Sequence, residues 1–287
     1  LCEAPTDRGP CDDCRHCRRV RKLEHPDVHW YMPLPRPKGA STPEKLADAL
    51  ESARHERLAE LRAEPLRSSW DPERTAIYLA AARSLRRSAQ SRPSEGRRQV
   101  YIIGDAESLV PQESSPEAAN ALLKLLEEPP SDTHFILTSS EPGRLLETIR
   151  SRTVPLHLAP VDEAAVRDTL VELAGADPDA ATHAAALSGG SIGLALGYLP
   201  DGSDPGPLEE LRRRGARLVQ AALASPGEGY RIALADFGVS GGQGLVDLLE
   251  HVDRWLRDLA TAASGATDFA ASRDARDWLE STVDKHR

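Results

Sequence analysis

The chain has 287 residues, 40% of them hydrophobic and 28% charged, which suits one large or two to three modest soluble domains. Its formal net charge of −9 excludes a global field attracting nucleic acid, so any such contact must be local or lent by partners. No apolar run approaches the roughly 20 residues needed to cross a bilayer, which excludes a membrane span. Aromatic residues are scarce at 4%, so Leu, Ala and Val must fill the core, and such segments favour helix. Leu1 opens straight into a polar, Cys-bearing segment and not into a signal peptide. With no initiator Met, the sequence reads as one that begins mid-protein and belongs in the cytoplasm.

The first element is the stretch CEAPTDRGPCDDCRHC, which holds every cysteine of the chain: Cys2, Cys11, Cys14 and Cys17. A disulfide framework would spread cross-links over a small secreted chain. Two C-x2-C steps sharing Cys14, with Cys2 returned by the loop Pro5 to Pro10, suit a closed tetrahedral thiolate site for structural zinc. An iron–sulfur cluster and free thiols are the alternatives; the usual cluster continuation C-x3-C-P is replaced here by Val20 and Arg21. A four-Cys site has no open position, so the metal would not be catalytic. Arg15, Arg18, Arg19, Arg21 and Lys22 follow as a basic cluster, either a solvated helix face or a local patch for phosphates or an acidic partner.

Residues 25–35 predict a strand, with Val28, Trp30 and Met32 alternating with polar residues until prolines stop it. His25 and His29 lie there, but four thiolates would satisfy the metal without them. Residues 43–64 predict a helix with Thr42 as cap and Pro43 in the first turn, and a second helix runs from about Asp71 to Gln90. Val100 to Ile103 reads as a buried strand. Ser115 and Pro116 then start a helix striped with Ala119, Leu122, Leu123 and Leu126, which Pro129-Pro130 ends. HFILTSS is another buried strand, and residues 141–160 predict a short helix, a turn and a strand. Strands alternating with helices imply an α/β parallel sheet with its site at the strand carboxyl ends, where Asp105 and Ser139 fall. From Val161 onward only helices are predicted, with DGSDPGP at 201–207 as the clearest linker.

NALLKLLEEPP followed by FILTSS and then IRSR resembles the bacterial clamp-loader subunits of the DNA polymerase III holoenzyme, AAA+ proteins of the gamma/tau and delta-prime types. The resemblance covers about residues 1 to 200. It implies a RecA-like AAA+ domain over 1–159 with a zinc module at 2–17, a small helical lid over 160–202 and a helical collar over 203–287 that closes a five-subunit ring. The family's Walker A loop, GxxGxGK[ST], is not present in these residues.

By the resemblance, Gly104 stands where Walker B carries its magnesium-binding Asp, and Asp105 stands where the catalytic Glu would be. Ser139 takes the sensor 1 position, and Gly193 stands where active subunits carry a sensor 2 Arg. Ser151 and Arg152 keep the S-R-C turn, with Thr153 replacing its Cys. That turn implies an arginine finger: Arg152 would act in trans on a neighbour's ATP, with Ser151 positioning it. Loss of the cis groups with the trans group kept resembles delta-prime, the non-hydrolysing stator. The implied partners are gamma/tau and delta subunits, the sliding clamp, and primed DNA through the complex, with ATP and Mg held by neighbours. An active gamma/tau-type ATPase is one alternative, and a zinc-bearing nucleic-acid-binding protein using residues 15–22 is the other. Glu127 and Glu128 form an acidic pair at a helix end, where the dipole disfavours them; a partner or a turn contact would explain them.

Overall fold

A computed structural model of the chain describes residues 1–7, 9–40, 42–63, 75–109, 117–237 and 242–286. They pack as two units, one ending at His157 and one beginning at Leu158.

The first unit carries α1 (Arg15–Arg21), β1 (Val28–Tyr31), β2 (Leu34–Pro35), α2 (Pro43–Ala63), β3 (Thr75–Ala76), α3 (Leu79–Ala89), β4 (Gln99–Ile103), α4 (Glu117–Glu127), β5 (Thr133–Leu137) and α5 (Glu147–Arg150). Its sheet is parallel, in the order β1-β4-β5, with Val28 opposite Val100 and Ile103 opposite Leu137. Parallel neighbours need long crossovers, and the helices between the strands supply them. Tyr101 and Ile103 are fully buried in β4, and with Leu85 of α3, Leu122 of α4 and Ile149 of α5 they form the core. The Tyr101 ring lies 5.4 Å from Phe135 and 4.6 Å from His29, and its hydroxyl sits 2.8 Å from that of Ser88.

Four expectations need revision. The strand predicted over 25–35 is split: β1 ends at Tyr31, and β2 pairs antiparallel with β3. Pro33 has no N–H for a ladder, which breaks the run. The helix expected from Asp71 starts at Leu79, because Thr75-Ala76 is taken by β3; Asp71 itself lies outside the described residues, as do Ser115 and Pro116. The strand expected after Thr153 does not form. Val154, Leu156 and Leu158 keep strand spacing but are 96%, 84% and 87% exposed, and Pro155 lacks a donor. A lone strand without a pairing neighbour is not stable. Residues 201–207 are not an open linker: Asp201 and Asp204 close a tight bridge, and a Cβ on Gly206 would collide with the backbone of Gly197 and Leu199.

The second unit is helical: α6 (Glu163–Ala174), α7 (Pro178–Leu187), α8 (Ile192–Tyr198), α9 (Pro207–Ala224), α10 (Pro226–Phe237), α11 (Gly242–Ala263) and α12 (Arg276–His286). Val166, Leu170, Ala184, Tyr198 and Leu208 make one apolar cluster, and Val219, Trp255, Ala262 and Leu279 another. Gly215 lets α9 and α11 approach closely, since a Cβ there would meet His251 at 3.2 Å. Between the clusters, buried Arg212 is held by Glu209 at 2.7 Å and by Asp274 at 2.7 Å, and it lies over the Trp255 ring. Glu209 is thereby held far below the usual carboxylate range: burial opposes its charge, but His183, Arg212 and Arg213 together outweigh burial.

Candidate functional site: a four-cysteine centre and the carboxyl ends of the sheet

The four cysteines converge. Their Sγ atoms all lie within 4.8 Å of one another, and none is in a disulfide. Local hydrogen bonds explain the convergence. Thr6 and Gly9 exchange backbone hydrogen bonds at 2.8 and 3.1 Å, folding the loop that brings Cys2 back. The N–H of each following cysteine then donates to the thiol before it: Cys11 N–H to Cys2 Sγ at 3.4 Å, Cys14 N–H to Cys11 Sγ at 3.3 Å, and Cys17 N–H to Cys14 Sγ at 3.5 Å. The last of these is also the N-cap of α1. The backbone N–H groups of Glu3 and Cys17 hold the Cys14 thiol down to about 6, while burial pushes Cys17 up to about 12.

These residues fit zinc. A tetrahedral ion bound at about 2.3 Å per sulfur sets neighbouring sulfurs about 3.8 Å apart, and Cys11 and Cys17 Sγ are 3.9 Å apart. When bound, the ion would cross-link the loop to α1. Neither His25 nor His29 joins the cluster. His25 Nδ1 accepts from Asp27 N–H at 3.0 Å, which leaves Nε2 to face Nδ1 of buried His16 at 2.6 Å; His29 stacks on Tyr101. His16, hidden in a basic run, is a residue that the spacing of the cysteines gives no reason to single out.

At the sheet's carboxyl end, Gly104 N–H donates to Tyr31 O at 2.8 Å. A Cβ on Gly104 would meet its nearest neighbours at 3.7 to 3.9 Å, an ordinary contact, so packing against these atoms does not by itself require glycine here. Asp105 follows in a left-handed conformation, φ 44°, with its N–H on Thr138 Oγ1 at 3.2 Å. Desolvation, and secondarily the charge of Glu107, raise the Asp105 carboxyl above its ordinary value. Ser139 lies two residues beyond β5, its hydroxyl accepting from Glu141 N–H at 3.2 Å.

Between these strand ends lies an acid that no motif flags. Glu107 is 6% exposed; its Oε1 accepts from Ser140 N–H at 3.3 Å and from Ser140 Oγ at 3.0 Å, while Oε2 has no partner among the described residues. Burial opposes its ionisation, yet its own N–H and the two serines hold it below its ordinary value. It ties the β4 end to the β5 end.

Ser151 and Arg152 close α5. Arg152 is exposed, with Nη1 on Thr148 O at 2.7 Å and on Ser151 Oγ at 3.3 Å. Its Nη2 lies 2.6 Å from Glu127 Oε1. The acid at the unfavourable end of α4 therefore has the partner its position calls for. Gly193, in the second unit, lies in the first turn of α8 and brings no charge.

Residues 1–162 match the model of the family described as "DNA polymerase III, delta subunit". The DNA polymerase III subunit delta' of Bacillus subtilis is 30% identical over 163 residues, 57% of this chain and 36% of that protein. That of Escherichia coli is 31% identical over 196 residues, 68% of this chain and 46% of that protein. The DNA polymerase III subunit tau of Salmonella typhimurium is 39% identical over 88 residues, 31% of this chain and 13% of that protein. Each match thus spans less than half of the relative's length. The family match takes in more than half of the chain, including the cysteine cluster, the sheet and the Ser151-Arg152-Thr153 turn, and on that ground the chain belongs to the DNA polymerase III delta-subunit family.

Proposed function

We propose that the chain acts as a delta-prime-type stator in a clamp loader, a subunit that does not itself hydrolyse ATP and that lends Arg152 to a neighbouring ATPase. The observation that carries this reading is the contrast between two loop ends. After β4, Gly104 carries no carboxylate, although a Cβ there would make only ordinary contacts; after α5, Arg152 keeps an exposed guanidinium. Without a carboxylate at the first position, metal and attacking water are poorly held. A guanidinium reaching a neighbour's site offsets charge developing on the transferred phosphoryl group, and such fingers contribute about 10³-fold or more in rate. Ser151 and Thr148 O orient Arg152 from within the turn.

In this reading residues 1–159 are the AAA+ domain, 160–202 the lid and 203–287 the collar. The four cysteines hold structural zinc. ATP and Mg belong to gamma/tau neighbours, and delta, the sliding clamp and primed DNA complete the assembly in the cytoplasm. No helix among the described residues is long and apolar enough to cross a membrane.

Reconstitution with gamma/tau, delta, clamp and primed DNA tests the reading through ATP turnover. The chain alone is expected to be silent, and Arg152→Ala should lower turnover of the complex tenfold or more while the ring still assembles. Unchanged turnover, or hydrolysis by the chain alone, would reject the stator. The tau match at 39% identity favours one second reading, an active gamma/tau-type ATPase, and hydrolysis by the chain alone is what would select it.

A further inference from the structure

Two basic stretches of the first unit have no part in that reading. Residues 15–22 hold four Arg and one Lys with no acid, and residues 83–98 hold six Arg with one acid, Glu95. The whole chain is nevertheless at −9; acids flank the first stretch, where Asp13 takes Arg18 at 3.3 Å, while the second stretch holds only Glu95. The fold joins the two stretches. Glu95 takes Arg19 Nη1 on both oxygens, at 2.8 and 2.9 Å, and Arg15 Nη2 lies at 3.6 Å. Buried Asp27 receives the backbone N–H groups of Ser94, Glu95 and Gly96, which pins the loop. The one acid of the loop is thus consumed in holding it against α1. Arg86, Arg87, Arg92 and Arg97 are exposed and have no carboxylate partner among the described residues.

We propose that α1, residues 91–98 and the last turn of α3 form a surface that binds the phosphodiester backbone of nucleic acid. Guanidinium forks match phosphate oxygens bidentately. Neither stretch exposes a large apolar side chain, so an acidic peptide would find charge but no anchor, whereas a phosphate backbone needs charge alone. The pinned loop presents its arginines with little ordering left to do on binding. The inference uses neither the cysteines nor Arg152, and it holds or fails independently of the stator reading.

The test is fluorescence anisotropy of the whole chain with a labelled DNA of about 30 nucleotides, long enough for one such site, as single strand and as duplex, between about 50 and 200 mM salt. Binding in about the 1–100 μM range is expected, falling steeply with salt. Arg86→Ala/Arg87→Ala/Arg97→Ala should weaken it at least about tenfold and flatten the log–log salt slope by about 2, since each lost contact removes about 0.7 to 0.9. As a control for charge alone, Arg167→Ala/Arg231→Ala/Arg257→Ala removes guanidiniums already paired with Asp168, Glu228 and Asp253, and it should bind within about twofold of the unaltered chain. Unchanged melting curves would establish that both variants fold. No binding by either DNA, an unweakened patch variant, or an equal loss in the control would each overturn the proposal. Arginine-dependent binding of a polyglutamate peptide without DNA binding would also overturn it, in favour of an acidic protein.

Discussion

Arg152 illustrates how much one side chain's role depends on its nearest neighbour. Its guanidinium is shared by Thr148 O, Ser151 and Glu127, three groups that fix its direction without burying it. A half-exposed pair of this kind contributes up to about 1 kcal/mol. If Arg152 serves a neighbour, Glu127→Gln should therefore lower turnover of the reconstituted complex by at most about fivefold, far less than Arg152→Ala, with melting unchanged. Turnover equal to the unaltered chain would reduce the pair to a surface contact. The acidic pair Glu127-Glu128 is legible in sequence as a helix-end oddity, but its partner lies 25 residues on, across a strand, where periodicity has no reach. Glu107 is still less legible. Nothing in ESL announces a buried acid, and the hydrogen bonds that hold it come from its own N–H and from the approach of the serines beyond β5, Ser140 above all.

At the scale of elements, the device that organises the amino-terminal half is the join between α1 and the loop at 91–98. Asp27 makes it. Burial would raise its carboxyl, but the N–H groups of Gly96, Ser94 and Glu95 outweigh burial and hold it below its ordinary 3.8. Glu107 is likewise held below 4.5. A carboxylate depressed in the folded state contributes stability that is present above its unfolded value and lost as pH falls through the folded one. Melting temperature should therefore be flat from neutral pH down to about 4.5 as far as these two acids are concerned, and then fall. Asp27→Asn should cost about 2 to 4 kcal/mol at neutral pH, because one amide oxygen replaces a buried charged acceptor of three backbone N–H groups, and it should shrink the acid-side loss. A variant with the unaltered acid profile would refute this assignment; urea melts across pH measure it. The cysteine centre is the second such element. One zinc per chain is expected by elemental analysis, and a chelator should release it and lower the melting temperature. Cys14→Ser should abolish stoichiometric zinc; a chain that melts identically with and without chelator would have no structural ion.

Across the whole chain, sequence reading succeeds where the signal is local and falters where an element needs a distant partner. The cysteine spacing, the Thr42 cap, which accepts from Lys45 N–H at 3.3 Å, and the apolar run of β4 are local, and all are legible. Residues 154–158 have the period of a strand, yet a strand is a relation between two segments, and none among the described residues pairs with this one. The result is a stretch of every-other apolar residues left exposed where the chain passes from one unit to the next, Val154 and Leu156 at 96% and 84% exposed and Leu158 at 87%. Proteases cut where backbone is exposed and carries few tertiary hydrogen bonds. Within the described residues, chymotrypsin should accordingly cut first after Leu156 or Leu158, and mass spectrometry of the early fragments would identify the site. The carboxy-terminal fragment should keep its helical signal, because Val166, Leu170, Tyr198 and Leu208 close a core without any residue before Leu158. Early cuts inside α6 to α9 instead would mean that this core does not hold by itself, and the boundary at His157 would then not separate two packed units.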